Sequence, residues 1–174
     1  GYTPPSGITE SVEKAKQLLA QAGFPNGEGF PELTVLYNTS TGHQRIVEYL
    51  QQEWEKNLGI TVTIENAERK TVLARGGNQE FDILRMGWVG DYQDANTFLE
   101  LFQTDSGQNF GKYANDDFDA LIQKAAKMPG GAERFEVLQQ AEEILINQDQ
   151  AILPIYHYVN IDLVDTDKWG GWFP

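Results

Sequence analysis

The chain has 174 residues, 40% of them hydrophobic, which is enough for one domain with a real core and too little for two ordinary ones. Thirteen basic against 26 acidic residues leave a net charge of -13 and a pI near 4.4. Such a surface repels phosphate backbones and anionic lipid and so excludes nucleic acid as a natural partner. The absence of Cys excludes disulfides, thiolate metal sites and a Cys nucleophile, and no apolar run approaches the roughly 18 residues of a membrane span.

In chain order, Gly1 to Gly7 is rich in Pro and Gly and predicts a linker. The start Gly1-Tyr2-Thr3-Pro4-Pro5 has neither Met nor an apolar stretch, so a processed product or a piece of something longer is expected. Val12, Ala15, Leu18, Leu19 and Ala22 recur at helical spacing and predict a helix over 9–22, stopped by Gly23. A turn-rich 25–29 leads to a buried strand over 33–37. A second helix starts at Thr41 or Gly42, carries Ile46, Leu50, Trp54 and Leu58 inward, and ends at Gly59.

Ile60 to Ile64 alternates as a half-buried strand should, and a short helix over 68–74 follows. A strand is expected over 81–89 and helices over 96–102, 117–127 and 132–147. Further strands are expected over 152–159 and 161–164, before the aromatic tail Trp169-Gly170-Gly171-Trp172-Phe173-Pro174. Alternating strands and helices predict an α/β domain with helices on both faces of a sheet. The division is a linker at 1–8, one lobe over 9–164 and an aromatic exit segment at 165–174, directed toward a missing domain or folded back on its own core.

Motifs of catalysis are missing. There is no glycine-rich nucleotide signature and no nucleophile elbow around any Ser, and His43 and His157 have no metal-ligand spacing. Asn115-Asp116-Asp117-Phe118-Asp119 lacks the loop Gly and distal Glu of a calcium frame, and reads better as a helix start capped by Asn115 or Asp116. No cofactor or metal is expected.

Function concentrates between Phe81 and Leu99. A strand carrying Arg85 runs out at Gly87 or Gly90, and a loop with Trp88, Asp91 and Tyr92 precedes a helix. Ligands of open α/β sheets bind beyond the carboxyl ends of strands. Asp91 there suits an ammonium group, and Trp88 offers a flat apolar wall. The competing reading has Asp91 or Asp94 capping the next helix, Arg85 paired with a neighbouring acid and Trp88 in the core.

These residues, with the helix Glu13 to Ala22 and the following Gly23-Phe24-Pro25-Asn26-Gly27, Phe81-Asp82, Asn109 with Tyr113, Phe118-Asp119, Arg134, Ala141 to Leu145 and Ile152-Leu153-Pro154-Ile155, carry a resemblance. The chain resembles the oligopeptide/dipeptide-binding family 5 of ABC-transporter solute-binding proteins, over nearly its whole length and in order. The resemblance implies a periplasmic-binding-protein-like lobe, with a central mixed sheet flanked by helices on both faces. It looks like the third domain, one half of a clamp that closes on its ligand.

It also implies that Asp91 takes a peptide's α-amino group, that Trp88 lines a side-chain pocket, and that Arg85 faces the cleft and helps with a carboxylate. Tyr92 belongs to the same stretch. Implied partners are a peptide or other small solute, the missing lobe and an ABC permease, in a periplasmic or extracellular setting that admits a lipoprotein anchor on the parent. Gln93 stands where Pro is common in the family, while Arg69 and Val72 replace frequent aromatics. These departures suggest an altered or designed version of an isolated lobe. The rival functions are an isolated folding unit that binds nothing and an acid-using hydrolase.

Overall fold

The computed structural model describes residues 1–7, 9–159, 163–165 and 167–171. Ser11 starts the first helix, its Oγ accepting from the Lys14 N–H at 3.2 Å, so α1 (Val12–Gln21) begins three residues later than spacing alone predicts. A 3₁₀ turn, Pro25–Gly27, precedes β1 (Leu33–Asn38). α2 (Thr41–Leu58) ends where expected, at Gly59, whose left-handed φ of 70° lets its N–H return to the Glu55 carbonyl. β2 (Val62–Ala67), α3 (Arg69–Gly77) and β3 (Ile83–Leu84) complete the first half.

β1 is central in the order β2-β1-β3, and all three strands run parallel. Val35 pairs with both Ile64 and Ile83, so the apolar residues of three strands fall in line on one face. That face carries Val35, Tyr37 and Val62, with Val47 and Trp54 of α2 packed against them. α3 covers the other face, where Gly76 lies so close that a Cβ on it would meet Leu84 at 3.3 Å. The lobe is thus α/β with helices on both faces, and its described strands are all parallel, with no antiparallel member.

Beyond the sheet, α4 (Asn96–Leu99) and a 3₁₀ turn, Glu100–Phe102, lead to α5 (Asp116–Ala126) and α6 (Ala132–Glu142), which continues as a π turn over Glu143–Gln148. Asn115 is the cap of α5, accepting from Phe118 N–H at 3.0 Å, which resolves the acidic stretch as a helix start. Phe118, Ile122, Leu138 and Leu145 are buried together as a second, helical core.

Three strand expectations need correction. β2 starts at Val62 rather than Ile60 and runs on to Ala67, held by Thr39, whose N–H and hydroxyl both bond the Ala67 carbonyl. β3 is two residues long rather than spanning 81–89. Arg85 adds one further bond to Leu36, after which the glycines turn the chain away. Residues 152–159 form no strand, because no described strand pairs with them; the segment is tied down by side chains instead, Tyr156 and Tyr158 accepting from Arg85. The segment expected over 161–164 lies partly outside the described residues, as do Trp172 and Phe173.

Candidate functional site

Three parallel strands send their carboxyl ends to the same edge, and the chain that leaves each end contributes to one cavity. After β1 comes His43, in the first turn of α2. After β2 comes Arg69, the first residue of α3. After β3 come Arg85, Gly87, Trp88, Val89 and Asp91. With Tyr158 these residues line a cavity of about 260 Å³. This volume is slightly below the range of about 300–1,000 Å³ usual for ligand pockets.

Arg85 is buried, 6% exposed, and its guanidinium meets no carboxylate among the described residues. Its Nη2 donates instead to the hydroxyls of Tyr158 at 2.6 Å and Tyr156 at 3.0 Å. The neutral-pair alternative for Arg85, an acid neighbour, is therefore not realised. Tyr158 in turn lies 3.2 Å from His43 Nε2, while His43 Nδ1 lies 3.3 Å from the Asn38 carbonyl. A carbonyl only accepts, so Nδ1 carries the proton and Nε2 accepts from Tyr158. Burial above all, then the charges of Arg85 and Arg69, hold His43 below its ordinary value of 6.5, against the pull of the Asn38 hydrogen bond.

The loop after β3 is fixed by small residues and one ion pair. A Cβ on Gly90 would lie 3.0 Å from the Thr97 methyl and 3.2 Å from the Phe98 ring, so only glycine lets the loop run this close to α4. Gly87 gives the same clearance to the Tyr158 ring. Asp94 accepts from Asn96 N–H at 2.8 Å and is gripped at both oxygens by Arg134, at 2.5 and 3.0 Å. The hydrogen bonds from Arg134 are the main reason that the Asp94 carboxyl is held below the usual carboxylate range, against the opposing effect of burial. Asp94, then, is the acid that caps.

Asp91 is left free. Its backbone N–H donates to Thr97 Oγ1 at 3.0 Å, and among the described residues its exposed carboxylate takes part in no hydrogen bond or ion pair. Trp88 beside it is half-buried, with an indole N–H that is shut from solvent and has no acceptor among the described residues. The structure thus brings Arg85, Trp88 and Asp91 together. Tyr92 is not among the cavity-lining residues; its hydroxyl donates to Glu100 at 2.8 Å and accepts from Asn96 at 3.0 Å, bracing the loop from outside. Sequence reasoning did not place His43, Arg69 or Tyr158 here. They come from three distant stretches of chain: strand order brings His43 and Arg69 here, and the bond to Arg85 brings Tyr158.

A larger recess of about 540 Å³ lies against residues 163–165 and 169–171. Its acid, Asp165, is paired with Lys168 at 2.8 Å, and its walls come from a single local segment, so it offers no converging groups.

An α/β lobe with an open half-cavity at the carboxyl edge of a parallel sheet, carrying an unpaired carboxylate and an indole wall, has the build of a solute-binding lobe. Residues 1–110 match the family described as bacterial extracellular solute-binding proteins, family 5 middle. The periplasmic oligopeptide-binding protein OppA of Salmonella typhimurium is 40% identical over 152 residues, which are 87% of this chain and 28% of that protein. A periplasmic oligopeptide-binding protein from Borrelia burgdorferi superposes with a TM-score of 0.80 at 40% identity, over 86% of this chain and 30% of that one. OppA of Haemophilus influenzae, solved in complex with the peptide RPPGFSPFR, superposes with a TM-score of 0.80 at 33% identity, over 86% of this chain and 29% of that one. The chain belongs to family 5 of the bacterial extracellular solute-binding proteins. It spans less than a third of the length of these relatives.

Proposed function

We propose that this chain is the cleft-forming lobe of a solute-binding protein that delivers peptides, or similar small solutes, to an ABC importer outside the cytoplasm. It binds and performs no chemistry. Asp91 holds the ligand's ammonium group by a charge-assisted hydrogen bond, Trp88 walls the neighbouring side chain, and Arg85 adds positive charge deeper in the cavity. The observation that carries this reading is the free Asp91 carboxylate on the rim of a cavity built from three strand ends.

The rest of the parent protein supplies the opposite wall. Leu153, Val159, Leu163 and Trp169 are 62 to 97% exposed, apolar side chains suited to burial against it. Closure of the two lobes by a hinge dries the ammonium–carboxylate contact.

The test is calorimetry of peptide binding to the full-length protein that carries this lobe. Asp91→Asn should abolish detectable binding, since leaving a buried ammonium unpaired costs about 3–5 kcal/mol. Unchanged affinity removes Asp91 from the role.

A further inference from the structure

We propose that segment 1–7 is a strap that positions the ligand loop from behind. By holding the first turn of α6 in place, Tyr2 keeps Arg134 on Asp94 and so fixes Asp91 at the cavity rim. This deepens, and rests on, the reading of Asp91 as the ammonium partner.

Gly1, Pro4, Pro5 and Gly7 give this segment little to pack with, yet it is fastened along α6. The Tyr2 ring meets Phe135 edge to face, with centroids 5.8 Å apart, and its hydroxyl donates to Glu142. The Thr3 carbonyl accepts from the Gln139 side chain, and the Ser6 carbonyl accepts from Asn147 Nδ2 at 3.0 Å. Phe135, Gln139 and Glu142 recur at i, i+4 and i+7, so they form one stripe of the helix. Asn147 comes five residues after Glu142. The π turn between them bonds to the fifth residue, as Asp149 N–H does to the Ile144 carbonyl, and so keeps Asn147 near the same stripe.

The stripe begins beside the residue that holds the loop. Arg134 precedes Phe135 in the first turn of α6, and that turn is weakly held from its own side. Its cap is Gly131, which makes no side-chain hydrogen bond and follows Pro129-Gly130. Arg134 nevertheless grips both oxygens of Asp94, at 2.5 and 3.0 Å, a bidentate geometry that tolerates little movement of the helix. Asp94 also accepts from Asn96 N–H, and three residues before it Asp91 donates its backbone N–H to Thr97 Oγ1. The loop that presents the free carboxylate is therefore referenced to this clamp. Strap and clamp adjoin. Burial first, then Glu142, raise the Tyr2 hydroxyl above its ordinary value, and the Asp94 charge adds to the rise. The Tyr2 ring also packs against the helical core to which Leu99 of α4 belongs.

The test is amide hydrogen exchange of the ¹⁵N-labelled 174-residue chain, read at Asp91 and Asn96 in the loop and at Leu36 in the central strand. Tyr2→Ala should speed exchange at Asp91 and Asn96 by about tenfold beyond any change at Leu36. Tyr2→Phe keeps the ring on Phe135 and loses only the bond to Glu142, so it should give a smaller acceleration at the same amides. In an Arg134→Ala background Tyr2→Ala should add little, because the strap acts through the clamp. The control Tyr49→Ala, at an exposed tyrosine of α2, should leave the loop amides unchanged. Loop amides that do not respond to Tyr2→Ala, or that speed up only as much as Leu36, overturn the proposal. So do effects of Tyr2→Ala and Arg134→Ala that add in full.

Calorimetry of trialanine with the full-length protein that carries this lobe separates the strap from the role of Asp91. Tyr2→Phe should weaken binding about threefold and Tyr2→Ala about tenfold. Unchanged affinity in both, with binding abolished in Asp91→Asn, overturns the strap and leaves the function standing. Unchanged affinity in Asp91→Asn, with loop exchange still set by Tyr2, overturns the ammonium role and supports the strap as a positioning device.

Discussion

His43 shows how one residue can be ordinary in sequence and particular in place. Its ring is clamped between the Asn38 carbonyl and Tyr158, with burial and two arginine charges opposing protonation. Its folded value is below the unfolded 6.5, so the folded state binds fewer protons. The stability due to neutral His43 is complete above pH 6.5 and is lost as pH falls from there through the folded value. Urea melts between pH 8 and pH 5 should show this loss in wild type and a flatter profile in His43→Gln. Asn109 is the structural counterpart, 1% exposed, donating to the Gln103 and Tyr113 carbonyls at 3.1 and 2.7 Å and accepting from Tyr113 N–H at 3.0 Å. Asn109→Ala strands these buried groups and should cost about 2–4 kcal/mol of unfolding free energy in the same assay.

Elements are held in register by contacts that periodicity does not encode. Gly59 ends α2 in a left-handed turn, and a Cβ there would lie 2.3 Å from the Asn26 carbonyl oxygen. Gly59→Ala therefore meets strain and a clash at once and should cost about 2 kcal/mol or more, read as a lowered urea midpoint with unchanged slope. Arg134 ties α6 to the loop before α4 through Asp94, with 12% and 23% side-chain exposure, and its Nε also reaches the Ala125 carbonyl at 2.9 Å. Arg134→Ala should cost about 2–4 kcal/mol at neutral pH. Because Asp94 is held below its ordinary 3.8, the pair's contribution is complete above that value and lost as pH falls through the lowered one. The wild-type and variant stabilities should therefore converge in strong acid.

The long helices were legible because their apolar spacing, Gly59 and Asn115 are local signals. β3 and the 152–159 segment were not. Their strand-like composition is real, but pairing is a long-range property: β3 meets β1 over two residues only, and no described strand offers its edge to 152–159.

At the scale of the whole molecule, the loop carrying Arg85, Trp88 and Asp91 could be found from sequence, since it lies in one stretch. His43 and Arg69 could not, because parallel pairing to β1 is what brings their loops to the same edge. The same geometry sets how tightly this chain binds by itself. Asp91 is exposed, so an ammonium meeting it stays in contact with water, and an ion pair in that setting contributes about 0–1 kcal/mol. With a second lobe closed over it the contact is dry, and losing one partner then costs about 3–5 kcal/mol. The difference of at least about 2 kcal/mol corresponds to at least about a thirtyfold gap in affinity. Calorimetry of one unmodified tripeptide against this chain and against the full-length protein should show that gap, with the chain alone in the millimolar range. Its thermal midpoint should move little with peptide, while that of the full-length protein rises clearly. Equal affinities would mean that this lobe completes the site without a facing wall, and hinge closure would lose its energetic basis.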